Sequence, residues 1–293
     1  MKKTQYARPC VKWAGGKSKM LPIYAPLIPP TFGRYFEPCL GGGAMFFDLW
    51  NEGRIEHGVT LSDVNVELVV TYIAIRDAVS AVIEILREHA ARHAEAEAAR
   101  RAGKPKTEHY YYKVRSWKHR PSPGAWSDAE RGARVLYMNR VCFNGLWREG
   151  PRGFNVPLGD YKAPVVCDEP NLRACSAALQ GVEVRHEDFA AVVGRAQPGD
   201  LVYFDPPYVP QSETANFTGY TADGFGEHDH ARMATVAETL KSRGVFVLIS
   251  NSDAPLVRQL YGGGVFELMP VMAPRSMAAR GASRGAIQEL VIR

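Results

Sequence analysis

Tyr35-Phe36-Glu37-Pro38-Cys39-Leu40-Gly41-Gly42-Gly43-Ala44 reads as a short strand, a turn of three glycines and the start of a helix. Glycines at a strand-to-helix junction let the backbone come close to a ligand and aim the helix's unpaired N–H groups at it. Asp63, twenty residues beyond Gly43, follows the apolar run 59–62. A carboxylate there can accept both hydroxyls of a ribose. A glycine turn alone marks only a tight junction, and this one lacks the spacing of a pyrophosphate loop. Together with Asp63 it points to a nucleoside-containing ligand. Further short runs at 35–39, 182–186, 201–204 and 245–250 mostly lack polar alternation, as parallel strands buried on both faces do. Helical stretches such as 44–51 and 231–242 lie between them. This alternation predicts an α/β, Rossmann-like sheet. Runs 266–271 and 288–293 flank a Gly/Ser/Arg loop and predict an antiparallel pair added at the sheet edge.

The rhythm breaks between about residues 71 and 180. That stretch holds an Ala/Glu/Arg helix (78–101), a basic linker around Pro105, the cluster Tyr110-Tyr111-Tyr112, and a Gly/Asn/Arg-rich segment at 139–162. It predicts an inserted domain, helical with a β-hairpin, over 71–180, within a domain built from 1–70 and 181–293. His89 and His93 stand one helical turn apart. They read as solvated helix surface, with no acidic or cysteine partner at ligand spacing, and no metal is expected.

The 293 residues are 46% hydrophobic and 23% charged, a globular balance that excludes a disordered, collagenous or coiled-coil chain. No run approaches the ~18 apolar residues of a membrane span, and the N-terminus lacks the apolar core of a signal peptide. Five cysteines without a CxxC pair argue against a disulfide framework or structural zinc and for a reducing cytoplasm. The net charge is only +5 but unevenly spread: residues 1–20 carry six basic groups and no acid, and residues 100–120 carry eight against Glu108 alone. Arg275, Arg280 and Arg284 follow near the end. Each run taken singly is ordinary solvated surface; several on a near-neutral chain suit a polyanion partner.

Asp205-Pro206-Pro207-Tyr208 follows the run 201–204 directly. Two prolines stiffen the chain and leave carbonyls without a competing local N–H. The bland reading is a strand-ending turn with a buried aromatic. The chemical reading is a site for a planar amino-heterocycle: Asp205 and the Pro206 carbonyl each accept one hydrogen of an exocyclic NH2, and Tyr208 stacks on the ring. An amino nitrogen so held is drawn toward a tetrahedral form with a localised lone pair, ready to attack an electrophilic carbon in line.

In order along the chain stand Trp13-Ala14-Gly15-Gly16-Lys17, the glycine turn, Ser62-Asp63-Val64-Asn65, Cys142-Phe143-Asn144-Gly145-Leu146-Trp147-Arg148, Phe154-Asn155-Val156-Pro157-Leu158-Gly159, Asp205–Tyr208, and Ser250-Asn251-Ser252-Asp253. From about Pro9 to the end the chain resembles the Dam-type, D12 class DNA adenine-N6 methyltransferases. The resemblance implies transfer of a methyl group from S-adenosyl-L-methionine to N6 of an adenine flipped out of duplex DNA. It implies cofactor contacts from Trp13, Lys17, Glu37, Gly41, Gly42, Gly43, Asp63, Asp188, Phe189 and Asp205, with Asp205, Pro206, Pro207 and Tyr208 at the reacting base. It implies DNA contacts from Arg140, Phe143, Asn144, Leu146, Arg148, Asn155, Pro157 and Tyr161, with GATC as the expected target. The run Arg148–Asn155 is one residue shorter than the family pattern and lacks its middle asparagine, which leaves the hairpin tip undefined. An RNA or other amino-group methyltransferase is the alternative, and the inserted domain counts against it. A monomer is expected, and a paired restriction endonuclease is compatible with the sequence.

Overall fold

The computed structural model describes residues 6–116, 126–150, 153–210, 224–273 and 287–293. Outside them lie Lys2, Lys3, the end of the basic run (Lys118, Arg120), Pro151 and Arg152 of the shortened hairpin, and the loop with Arg275, Arg280 and Arg284. Along the chain run α1 (Leu21–Tyr24), β1 (Tyr35–Glu37), α2 (Ala44–Asn51), β2 (Val59–Asp63), α3 (Val66–Arg101), α4 (Tyr110–Arg115), α5 (Asp128–Val141), β3 (Glu149–Gly150) and β4 (Gly153–Phe154). Then come α6 (Glu169–Leu179), β5 (Glu183–His186), β6 (Leu201–Phe204), α7 (Glu227–Ser242), β7 (Phe246–Ser252), α8 (Pro255–Tyr261), β8 (Leu268–Ala273) and β9 (Ile287–Ile292). They group into a sheet unit (15–64 and 181–293) and a helical unit (1–14 and 65–180).

In the sheet unit seven strands lie in the order β5-β2-β1-β6-β7-β9-β8. The first five are parallel to one another, and β9 runs antiparallel to β7 and β8. This is the expected α/β sheet with its antiparallel C-terminal pair, β8 starting two residues later than the sequence suggests. Phe36, Val202, Phe204, Val247 and Ile249 supply one buried face, against Met233, Ala237 and Leu240 of α7 and Val257 and Tyr261 of α8. β5 departs from the expectation of strands buried on both faces: it is one of the two edge strands, and Glu183, Arg185 and His186 are exposed. Charges on an edge discourage pairing with another chain. At the opposite end from the glycine turn, Asp200 ties the starts of β1 and β6. It accepts from Arg34 N at 2.7 Å and Gln197 N at 2.9 Å, and pairs with the Arg34 guanidinium at 2.8 Å. Gly33 lies so close that a Cβ would meet Asp200 Oδ1 at 2.6 Å.

The helical unit is built on α3, which starts before residue 71 because the Asn65 side chain caps it, accepting from the backbone of Glu67 and Leu68. Ala78, expected as its first residue, is instead a kink (φ −141°, ψ 36°) within it. α5 opens with a capping box between Ser127 and Glu130 and packs closely on α3, where a Cβ on Gly132 would stand 2.9 Å from that of Ala74. The N-terminal segment groups here because two buried side-chain amides bracket it. Asn139 exchanges hydrogen bonds with both backbone groups of Lys12, and Asn171 does the same with Arg8. No described helix is long and apolar enough to cross a membrane.

His89 and His93 are buried rather than solvated, bonded to the hydroxyls of Tyr110 (2.9 Å) and Tyr137 (3.1 Å). His93, Glu97 one turn beyond it, and His109 bring their ligand atoms within 4.8 Å of one another, the only such group among the described residues. Part of it is already committed to hydrogen bonds. Neutral His109 has one lone-pair nitrogen, and that nitrogen, Nδ1, caps α4 by accepting from Tyr111 N. Glu97 is held by the Arg100 guanidinium. The fold thus holds His93, Glu97 and His109 Nδ1 by hydrogen bonds, while His109 Nε2 is buried 3.5 Å from Glu97 Oε1 with no hydrogen-bond partner.

Burial pushes the imidazoles of His89 and His93 down to about 4, below the ~6.5 of an unfolded histidine. Between these values the unfolded chain binds more protons, so stability must fall as pH drops from about 6.5 to about 4. The melting temperature is expected to decline through that window, and His93→Gln to flatten part of the slope.

Candidate active site

Parallel pairing of β1 with β6 (Tyr35 beside Leu201, Phe36 beside Val202) sends both strands toward the same edge. The next strand after β1 lies on its other side, so β1 and β6 flank the point where the strand order reverses. Ligands of open α/β sheets bind at such a point. The glycine turn leaves β1 here and Asp205–Tyr208 leaves β6. Gly41 (φ 47°) and Gly43 (φ 64°) adopt left-handed backbone that side chains disfavour. Asp63 ends β2 half-buried, its Oδ2 accepting from Gly41 N at 3.1 Å. A carboxylate beside a glycine turn at a helix N-terminus offers a ligand both an acceptor and backbone N–H donors.

Asp205 Oδ1 accepts from Ser250 Oγ at 2.7 Å and lies 2.8 Å from Lys17 Nζ. The Lys17 residue is only 5% exposed. Its ammonium also donates to the Gly15 carbonyl and sits 4.5 Å from the centre of the Tyr208 ring, a cation–π contact. Gly15, at φ 78°, makes the turn that brings Lys17 back. The Tyr208 hydroxyl donates to Glu289 Oε2 at 2.9 Å. Behind Asp205, the Tyr203 hydroxyl meets Ser250 Oγ at 3.2 Å. The loop itself is strapped to β7: Val209 N donates to Asn251 Oδ1 (3.1 Å) and Ser252 Oγ donates to the Val209 carbonyl (2.6 Å). Burial, then the Asp205 charge, holds the phenols of Tyr203 and Tyr208 well above their usual range. Burial also raises Glu289, with Lys17 opposing it.

The other expected cofactor contacts are placed variously. Glu37 is buried, and its Oε2 accepts from the Tyr35 hydroxyl (2.8 Å) and Phe46 N (3.1 Å) inside the fold. Asp188 accepts from Ala190 N and pairs with Arg232 at 2.8 Å; Phe189 is buried, with the Arg232 guanidinium over its ring. Trp13 belongs to the helical unit, where it stacks on Trp147 with ring centres 6.4 Å apart. Ser250, Asn251, Ser252 and Glu289 received no role from the sequence. The first three lie in a motif that stood out there; Glu289 had only the signal of a charge opening an apolar strand.

The expected DNA-contacting residues all lie in the helical unit. Phe143, Asn144, Arg148, Asn155 and Pro157 are exposed, while their neighbours Trp147, Phe154, Val156 and Leu158 are buried. The buried set anchors a short hairpin that presents the exposed set. Asn144 is the single described non-glycine residue with positive φ (56°). The Tyr111 hydroxyl donates to the Val156 carbonyl at 2.7 Å and holds the hairpin's return strand. Arg148 Nε donates to Asn155 Oδ1 at 2.6 Å across the hairpin base. Tyr161 lies under the Lys12 ammonium. Leu146 is half-buried, and Arg140 is turned inward, donating to the Cys10 carbonyl at 2.9 Å.

Residues 13–277 match the family model for D12 class N6 adenine-specific DNA methyltransferases, and the chain belongs to that family: it is an adenine-specific DNA methyltransferase. It is 38% identical over 288 residues to the Type II methyltransferase M1.LlaDCHI of Lactococcus lactis subsp. cremoris, covering 97% of this chain and 94% of that one. It is 33% identical to the Type II methyltransferase M.MjaIII of Methanocaldococcus jannaschii (97% and 98% covered) and 34% identical to the DNA adenine methylase of Vibrio cholerae (97% and 95%).

Burial raises the Glu37 carboxyl to about 8, against ~4.3 for an exposed glutamate. The folded chain thus holds a proton that the unfolded chain releases, and this contribution to stability is lost as pH rises through about 8. Gln at this position keeps both acceptor contacts without the charge. Melting curves of Glu37→Gln are expected to match wild type below about pH 4 and to lie progressively above it up to about pH 8.5.

Proposed function

We propose that the methyl donor is S-adenosyl-L-methionine, that the substrate is an adenine flipped out of duplex DNA, and that the target is GATC. In this reading the sheet unit binds the donor and performs the chemistry, and the helical unit reads the DNA. The observation that carries it is Asp205 at the end of β6, beside the glycine turn and braced by Lys17 and Ser250. The glycine turn and Asp63 would hold the donor's amino-acid and ribose parts, with Lys17, Glu37, Asp188 and Phe189 as further contacts.

When bound, the donor supplies an electrophilic methyl on a sulfonium. The chain's own residues do the rest. Asp205 accepts one N–H of the adenine amino group, and the Pro206 carbonyl accepts the other. The nitrogen lone pair, otherwise delocalised into the ring, is thereby localised and aimed. Tyr208 stacks on the base, and the Pro206-Pro207 pair fixes the backbone so that positioning contributes to the rate. Flipping is required because the amino group is out of reach inside a duplex. The exposed hairpin residues, with Phe143 beside them, supply the reading surface. Five free thiols among the described residues fit a reducing cytoplasm.

Purified protein with labelled donor is expected to methylate adenine in GATC-containing duplexes. Transfer only to RNA, or to cytosine, would sink the reading. Asp205→Ala should reduce turnover by at least about a hundredfold while leaving the fold intact, the range seen when a positioned acid–base partner is removed. An arginine fork suits guanine O6 and N7, a contact worth ~1–3 kcal/mol of discrimination. Arg148→Ala should therefore blur preference at one base pair in methylation maps of a plasmid. A uniform loss across all sequences with a flatter salt dependence would make Arg148 a phosphate contact instead.

A further inference from the structure

We propose that Glu289 is a positioning residue for methyl transfer, setting through the Tyr208 hydroxyl the angle at which that ring meets the target base. The proposal rests on the reading of Tyr208 as the stacking surface. A tyrosine ring turns in a broad torsional well, so a loop that must present one face to a base needs a second point of hold. The hydrogen bond from the Tyr208 hydroxyl to Glu289 Oε2, at 2.9 Å, is that point.

Two observations set this bond apart from ordinary folding. Glu289 is a charged residue in a strand whose next three residues, Leu290, Val291 and Ile292, are buried. A carboxyl there costs free energy that an apolar side chain would not, so stability alone does not account for it. The neighbouring Gln288 faces elsewhere, donating to Asp253 Oδ2 at 2.6 Å. Antiparallel register places Glu289 opposite Ser252 of β7, and the Ser252 side chain grips the Val209 carbonyl just past Tyr208. One rung of the sheet thus holds the loop backbone through β7 and the aromatic tip through β9. Lys17 ties the two ends of the motif together, 2.8 Å from Asp205 and 4.5 Å from the Tyr208 ring. A displaced ring would also disturb the cation beside the catalytic carboxylate. The phenol keeps its proton and donates to a carboxylate, the stronger kind of hydrogen bond.

The test is single-turnover methyl transfer to a duplex with one target adenine, for wild type, Glu289→Ala, Glu289→Gln, Tyr208→Phe and the Glu289→Ala/Tyr208→Phe double variant. Losing one orienting hydrogen bond should slow the Glu289→Ala step about tenfold, with KM for donor and DNA within about twofold of wild type. Glu289→Gln, which retains an acceptor, should recover most of the rate. Tyr208→Phe should lose as much as Glu289→Ala, and the double variant should be no slower than either, since both remove one bond. With 2-aminopurine as the target base, Glu289→Ala should broaden the fluorescence lifetimes of the flipped base, which a merely structural role would not do. Losses that multiply, a defect confined to KM, or a Tyr208→Phe enzyme at full rate would overturn the proposal. The last result decides even if Glu289→Ala fails to fold. A wild-type enzyme that leaves adenine unmodified would instead refute the functional reading itself.

Discussion

The parallel pairing of β1 with β6 is the constraint on which the site depends. Tyr35 and Phe36 of β1 run beside Leu201 and Val202 of β6, so the loops that leave the two strands emerge at one edge about one inter-strand spacing apart. One loop is glycine and approaches closely; the other is proline-stiffened and carries a carboxylate and a ring. Asp200 secures the far ends of the same two strands through Arg34. The arrangement is held at its base by charge.

Charge at that tip is unevenly shared. Asp205 and Glu289 face one buried ammonium, Lys17, whose short contact is with Asp205. Glu289 is left with a phenolic donor and a carboxyl pushed up by burial. Tyr24, buried beneath, is pushed up by burial and by those same carboxylates. The Tyr208 phenol stays protonated and donates to Glu289, whose Oε2 is the acceptor.

Much of this was legible in the sequence because it depends on local pattern. The glycine turn, Asp63 and Asp205–Tyr208 are short motifs at strand ends, and runs of apolar residues announce parallel strands. The shortfalls had a common cause. His89 and His93 looked solvated because an Ala/Glu/Arg helix reads as polar all round, yet Tyr110 and Tyr137 arrive from other helices to cover them. β5 carries Glu183, Arg185 and His186, polar residues visible in the sequence, but pattern cannot show which strand ends the sheet. Glu97 was overlooked at i+4 from His93, a spacing visible in the sequence, whereas His109 joins only through the fold.

The sequence by itself determined the class of fold, the order of the motifs and the chemistry their residues can perform, since these follow from residue type and from periods of two and 3.6 along the chain. Tertiary structure alone decided which side chains hold that chemistry in place. Lys17 reaches Asp205 across 188 positions, Ser250 reaches it across 45, and Glu289 reaches Tyr208 across 81. The physical reason is that hydrogen bonds act over about 3 Å, while strand order brings together residues that no spacing rule connects.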